Sequence, residues 1–200
     1  MVTDPDAALM VAFQGGDEAA FRALFEKYGR SMVGYCNHFV RDPARAEELA
    51  QDVFLNLHRH AARYQPTARF KTFLYRIASN HCLNELRRSE YGLRREQERS
   101  GDDPEMATDP DSIAGAGASP EQAAFASALG RAVDRLLDRL PDKQRAAFVM
   151  ARFEGFSYDE IAEALGTSLP AVKSLVHRAT ITAASVLAPF AERSAGEDAP

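Results

Sequence analysis

Apolar residues recur along this chain at intervals of three and four, and no segment alternates in the way a half-buried strand requires. The clearest stripe is Phe21, Leu24, Phe25, Tyr28, Met32, Tyr35 and Phe39, which predicts one long helix capped by Asp17. Asp42-Pro43 is a cap followed by proline at the first helical position, opening a second helix to about His60. That helix buries Leu49, Val53, Phe54 and Leu57 and shows Glu47, Glu48, Gln51, Asp52 and Asn56 on another face. Residues 63–69 contain Pro66 and read as a connection. A third long helix, from about Phe70 to Arg88, turns Phe73, Leu74, Ile77, Ala78 and Leu86 inward and its cations outward. With a short helix after Asp4-Pro5, these elements suffice for a small bundle.

The periodicity then lapses. Gly101 to Ser119 is rich in Gly, Ala, Asp, Pro and Ser, the composition of a flexible linker. Ser119-Pro120-Glu121-Gln122 is a capping box with proline at the first helical position, and a helix follows with Phe125, Leu129, Val133, Leu136, Leu137 and Leu140 on one side. Pro141-Asp142 starts another through Phe148 and Val149. Ser157 and Glu160 form a second capping box, so a helix begins at Tyr158, keeps Ile161, Ala162 and Leu165 in register and breaks at Gly166. Ser168 then caps a further helix in which Pro170 is tolerated, because first-turn amides have no intrahelical partner. Two helices joined by a short Gly-containing turn make a helix-turn-helix. Its second helix carries Lys173, His177 and Arg178 and no acid before Ala188, as a helix entering a major groove should. Pro189 and the polar AERSAGEDAP tail are expected to end the ordered chain. The expected fold is all-α: a helical bundle over 1–95, a flexible acidic linker over 96–119, a helix-turn-helix domain over 120–188 and a polar tail over 189–200.

Charge changes the picture because it is segregated. The net charge is -5, which alone argues against a DNA binder. Between Arg59 and Arg88, however, seven bases (Arg59, Arg63, Arg69, Lys71, Arg76, Arg87, Arg88) face one acid, Glu85. Between Glu96 and Glu121 eight acids accompany Arg99 alone. Phosphate affinity follows local cation density, so two basic surfaces remain while the acidic remainder weakens nonspecific DNA binding by the isolated chain. The basic segment also interleaves Tyr64, Phe70, Phe73 and Tyr75 with Gln65, Asn80 and Asn84, the mixture that single strands need for stacking and phosphate contact. Phe73 by itself, in register with Leu74 and Ile77, reads as core.

No catalytic constellation stands out. His58 and His60 are two apart on a helix and diverge, while His38, His81 and His177 have no acid or thiol at ligand spacing, so no metal site is expected. There is no phosphate-binding glycine loop and no GxSxG, and neither catalysis nor a cofactor is expected. Cys36 and Cys82 lack CxxC spacing and read as small buried hydrophobes in a reducing compartment. No apolar run is long enough for membrane insertion, and Asp4 and Asp6 without a basic start argue against a secretory signal, so a cytoplasmic protein is expected.

Two DNA-reading elements on separate modules, with an acidic tether between them, bring a family into view. DEAAFRALFEKYG, AEELAQDVFLNL and FKTFLYRIASNHCLNELRR resemble the successive parts of region 2 of the extracytoplasmic-function sigma factors of bacterial RNA polymerase. LLDRLPDKQRAAFVMARFEGFSYDEIAEALGTSLPAVKSLVHRA resembles their region 4, and the likeness runs from Asp17 to Leu187. It implies that Glu48, Gln51, Asp52 and Asn56 dock on the polymerase clamp helices, with the flap as a further contact on the core enzyme. It implies that Tyr64, Arg69, Lys71, Tyr75, Arg76, Ser79, Asn80, Asn84, Arg87 and Arg88 recognise and open the minus-10 promoter element, Asn80 and its neighbours holding a flipped base. Ser168, Pro170, Ala171, Lys173, Ser174, His177 and Arg178 would read the minus-35 element as duplex, and the acidic linker would thread the channel later used by nascent RNA. An anti-sigma factor is a possible further partner. Three departures from the pattern, Phe73 for the usual Trp, Ser79 for Arg and Arg178-Ala179-Thr180 for RAR, imply fewer phosphate contacts and promoter binding that leans more on the polymerase.

The tether sets the mechanism. About thirty residues between Ser89 and Ser119 could extend to ~100 Å but as a coil span nearer ~30 Å. Promoter elements two helical turns apart are separated by roughly 70 Å of B-DNA, so something rigid must hold the modules apart. The alternative reading is a stand-alone helix-turn-helix regulator whose N-terminal bundle senses a ligand or dimerises, which predicts a homodimer on palindromic operators. A helical metalloenzyme is disfavoured by the absent ligand spacings.

Overall fold

The computed structural model describes residues 4–97 and 119–196, and these contain helices and no strand. The N-terminal lobe comprises α1 (Pro5–Gln14), α2 (Glu18–Val40), α3 (Pro43–Arg59), a single 3₁₀ turn (Ala61–Arg63) and α4 (Phe70–Gln97). The C-terminal lobe comprises α5 (Pro120–Arg139), α6 (Asp142–Arg152), α7 (Tyr158–Leu165) and α8 (Leu169–Gly196). Most starts follow local capping chemistry. The Asp17 carboxylate accepts from the Ala19 and Ala20 amides, and Asp42 does the same for Ala44 and Arg45. Both capping boxes form, Ser119 with Gln122 and Ser157 with Glu160.

In the N-terminal lobe, α2 is the central strut. Its inner face sinks Leu24, Met32, Tyr35 and Cys36 completely, against Leu57 from α3 and Phe70, Leu74 and Tyr75 from α4. Each large side chain so buried contributes roughly 1.5–3 kcal/mol. One polar group admitted to this interior is doubly partnered: the Ser79 hydroxyl is shared between Tyr35 Oη at 2.8 Å and the Tyr75 carbonyl at 2.6 Å. The Cys82 thiol donates to Cys36 Sγ at 3.7 Å, and with burial this bond raises the Cys82 pKa. Both cysteines are free and buried, as expected, but the fold also makes them neighbours.

The short helix α1 fastens the start of α4 and the loop before it. Asp4 accepts from the Asp6 amide at 3.1 Å with one carboxylate oxygen and from the Phe70 amide at 2.6 Å with the other, capping two helices at once. Gln14 Nε2 donates to the carbonyls of Ala61 and Tyr64 at 2.7 and 2.9 Å. Asp6 is held by Lys27 at 2.6 Å and by the Tyr28 hydroxyl, whose pKa burial and this carboxylate push upward.

Two outcomes differ from expectation. Helix α8 runs through Pro189 to Gly196 instead of ending there. A proline forgoes only its own ladder donation and crowds one carbonyl, and here the turn is pinned from outside by Phe125 of α5 stacked edge-on to Phe190 at 5.8 Å. The two lobes also pack against one another along an apolar seam. The linker expectation falls almost wholly on residues 98–118, outside the described residues.

Candidate nucleic-acid and polymerase interfaces

Helix α7 enters α8 through a turn that only glycine makes cheaply. Gly166 sits at φ 58° in the left-handed region, and the Gly166 and Thr167 amides close on the Glu163 and Ala162 carbonyls at 3.3 and 2.9 Å. Partial burial works against ionisation of Glu160. The bonds from Ser157 and the charges of Arg69 and Lys71 nevertheless hold its pKa below the usual carboxylate range. Helix α8 buries Val172, Val176, Ala179 and Ala183, so its opposite face is presented outward. Lys173, Ser174, His177 and Arg178 are all exposed on that face, with Ser168 and Pro170 exposed and Ala171 half-buried at its entry. The Ser168 hydroxyl accepts from the Ala171 amide at 3.4 Å. The geometry is that of a helix presenting two exposed cations and two hydrogen-bonding side chains on one face.

The basic segment is more divided. Arg76, Asn80, Asn84, Arg87 and Arg88 are exposed along α4. Three other residues assigned there from sequence are not surface groups: Tyr64 is 5% exposed, Ser79 1% and Tyr75 0%. Ser79 is occupied in the bond to Tyr35 on α2, and burial raises the Tyr64 hydroxyl to about 12. Phe73, expected in the core, is instead half-buried at a rim, with Tyr64 edge-on at 5.0 Å and the Arg76 guanidinium over its ring at 5.2 Å.

That rim belongs to a pocket of ≈ 200 Å³ lined by Arg63, Gln65, Thr67, Thr72, Phe73 and Arg76, with Glu163 of α7 at its edge. The Thr72 hydroxyl is buried without a partner. The pocket lies at the loop and first turns of α4, below Asn80 rather than around it. Sequence reasoning picked out Gln65 beside the aromatics but missed Thr67 as a lining residue, because the 63–69 stretch looked like a mere connection. Pro66 flanked by amide and hydroxyl side chains was the available signal.

On α3, Glu48, Gln51 and Asp52 are exposed and Asn56 is half-buried. Arg45 reaches Glu48 at 2.5 Å and, through two nitrogens, Glu85 of α4 at 2.9 and 2.7 Å. Hydrogen bonds to these carboxylates raise the Arg45 pKa further. Asp52 and Asn56 share a groove of ≈ 290 Å³ with Arg59, His81, Asn84 and Arg88, so the α3 face and the basic face of α4 adjoin.

Comparison with known proteins identifies the class. Residues 24–90 match Sigma-70 region 2 and residues 130–180 match Sigma-70, region 4. The chain is 30% identical to the RNA polymerase sigma-H factor of Pseudomonas aeruginosa, over 90% of this chain and 92% of that one. It is 32% identical to the ECF RNA polymerase sigma factor SigM of Mycobacterium tuberculosis, over 91% and 84% respectively. The fold is also that of CnrH, solved in complex with the cytosolic domain of CnrY, at a TM-score of 0.66 and 22% identity over 93% of this chain and 99% of that one. The chain belongs to the sigma-70 family, as an extracytoplasmic-function RNA polymerase sigma factor. Among the described residues no helix is long and apolar enough to cross a membrane.

Proposed function

We propose that this chain is a non-catalytic specificity subunit that reads two promoter elements with two separate helices. On this reading α8 enters the major groove at the minus-35 element, with Lys173, Ser174, His177 and Arg178 toward bases and phosphates and Ser168, Pro170 and Ala171 against the backbone. The minus-10 element falls to α4 and the loop before it. Arg76, Asn80, Asn84, Arg87 and Arg88 track the strand, and the pocket at Thr72 and Phe73 takes an extruded base. Unstacking costs a few kcal/mol per step, and a buried hydroxyl lacking a partner is a group that a captured base can satisfy. Glu48, Gln51, Asp52 and Asn56 dock on the polymerase clamp, which would place the protein in the cytoplasm with the enzyme. By analogy with the sigma factor RpoE of Bartonella quintana, solved in complex with the anti-sigma factor NepR, an anti-sigma protein holds it in reserve.

The observation that carries this proposal is the outward face of α8: four polar side chains exposed together while its inner face is sealed. The test is reconstituted transcription with purified core polymerase and this chain, followed by start-site mapping. Starts should appear only when both are present. Tight sequence-specific DNA binding by the chain alone, with no initiation when core is added, would favour the stand-alone regulator instead.

A further inference from the structure

Both ends of the loop before α4 are tied to one helix. At the start of α1, the Asp4 carboxylate accepts from the Phe70 amide at 2.6 Å. At the last turn of α1, Gln14 Nε2 donates to the Ala61 and Tyr64 carbonyls at 2.7 and 2.9 Å, so both its amide hydrogens go to the loop. The ten residues of α1 make a bar about 15 Å long, laid between these attachment points. The bar is itself seated: Ala7, Met10 and Phe13 are buried, and Phe13 packs on Phe21 at 4.7 Å and on His58 at 5.0 Å. Between the ties, the loop's own backbone bond runs from the Thr67 amide to the Gln65 carbonyl at 2.8 Å. From that span Gln65, Thr67 and Ala68 line the pocket that Thr72 and Phe73 complete. Helix α1 lies outside residues 24–90, the stretch that matches Sigma-70 region 2.

We propose that Gln14 and Asp4 are positioning residues for the minus-10 element, α1 fixing the shape of the loop and thereby which extruded base the pocket prefers. This rests on the pocket at Thr72 and Phe73 being the base site. Bases are told apart by hydrogen bonds, which weaken steeply as distance and angle leave their optimum. The Gln65 amide and the Thr67 and Thr72 hydroxyls can each meet a base edge, but Gln65 and Thr67 sit on backbone outside any helix. Gln14 and Asp4 supply the missing fixity from outside the pocket lining. The demand on Gln14 is chemical as well as steric: both its partners are carbonyls, so only a donor serves. Gln14 is also exposed, so exchanging it removes two bonds without emptying any of the core.

The test is transcription by core polymerase assembled with wild type or variant, from promoters randomised over the minus-10 element, with transcripts sequenced to give base preference position by position. Fluorescence of 2-aminopurine, placed at each minus-10 position in turn, marks the base that leaves the stack. Gln14→Ala should lose roughly fivefold or more of the preference at that position, with the other minus-10 positions and the minus-35 preference within about twofold of wild type. Gln14→Glu has the same shape but cannot donate, and should behave like Gln14→Ala. Gln14→Lys keeps a donor long enough to reach the carbonyls and should restore the preference. A merely structural role would lower output evenly at every position, and that result overturns the proposal. So does an unchanged preference in Gln14→Ala, or an equal loss in Gln14→Lys. Thr72→Val separates the two claims. If it shifts preference at the extruded position while the Gln14 variants do not, the pocket stands and the positioning role falls. If Thr72→Val changes no preference, the pocket reading falls and takes the proposal with it.

Discussion

Helices α4 and α8 both carry cations that the proposed function gives to DNA, yet in the packed chain they are in opposite states. The working face of α8 is free, with Lys173 and Arg178 in solvent and only its apolar side in contact. The first turns of α4 and the residue before them are engaged: Lys71 and Tyr75 by Glu154 and Phe156, Arg69 by Glu160. On the proposed function the difference follows from what each helix reads. A duplex groove is always available and can be met by a preformed rod, whereas single strands exist only after melting. A basic, aromatic surface left open would collect any unpaired strand it met.

The largest effects should come from the α8 side. Lys173→Ala or Arg178→Ala should cost ~1–3 kcal/mol in promoter binding by the assembled enzyme, if each side chain reaches a base. The lobe separation of the free chain should not change, and a shift in closure would break the comparison. Next comes the foundation of α4. Asp4→Ala removes two helix caps at once and should lower stability by about 2 kcal/mol, measured by thermal or urea unfolding, with loss of the Phe70 cap loosening the base pocket. Asp52→Ala should weaken polymerase affinity by ~1 kcal/mol, as expected of an exposed charge, without altering promoter sequence preference. A changed preference would show that the α3 and α4 faces were assigned the wrong way round.

The smallest effect is a pH dependence of closure. His38 packs on Phe153 at 4.7 Å, and burial, then the Arg41 charge, lower its pKa below the usual 6.5 while Asp134 opposes. The docked state therefore binds fewer protons than the separated one. Closure is at full strength above pH 6.5 and weakens as pH falls below it through the lowered value. Lobe separation measured across that range should show this, and His38→Gln should flatten the response.

Much of the fold was legible because its signals are local. Asp17, Asp42, Ser119 and Ser157 begin helices by bonding amides two or three residues away, so spacing alone reveals them. The α8 face was legible for the same reason. On α4 the reading failed wherever a distant residue decided the outcome. Ser79 looked like part of a polar face, but Tyr35, 44 residues earlier, takes its hydroxyl inside. Phe73 sits at the edge of the apolar stripe, where one helical step separates core from rim. Pro189 appeared to be a stop because the Phe125–Phe190 contact that carries the helix past it is tertiary. The seam between the lobes was invisible in sequence, since Glu154 and Asp134 acquire meaning only opposite Tyr75 and Arg41. Arg41 itself adopts φ 57°, a left-handed conformation costing about 1–2 kcal/mol in a residue other than glycine. Its guanidinium pairs with two aspartates of α5.

The most direct measurement is the distance between the lobes in the full chain before and after core polymerase is added. Labels at Glu26→Cys on α2 and Ser185→Cys on α8 are suitable, because both positions are exposed while Cys36 and Cys82 are buried. The account predicts a short, single distance in the free chain and a move toward the roughly 70 Å spacing of two promoter elements on binding. A free chain already extended, or a separation that polymerase leaves unchanged, would contradict it.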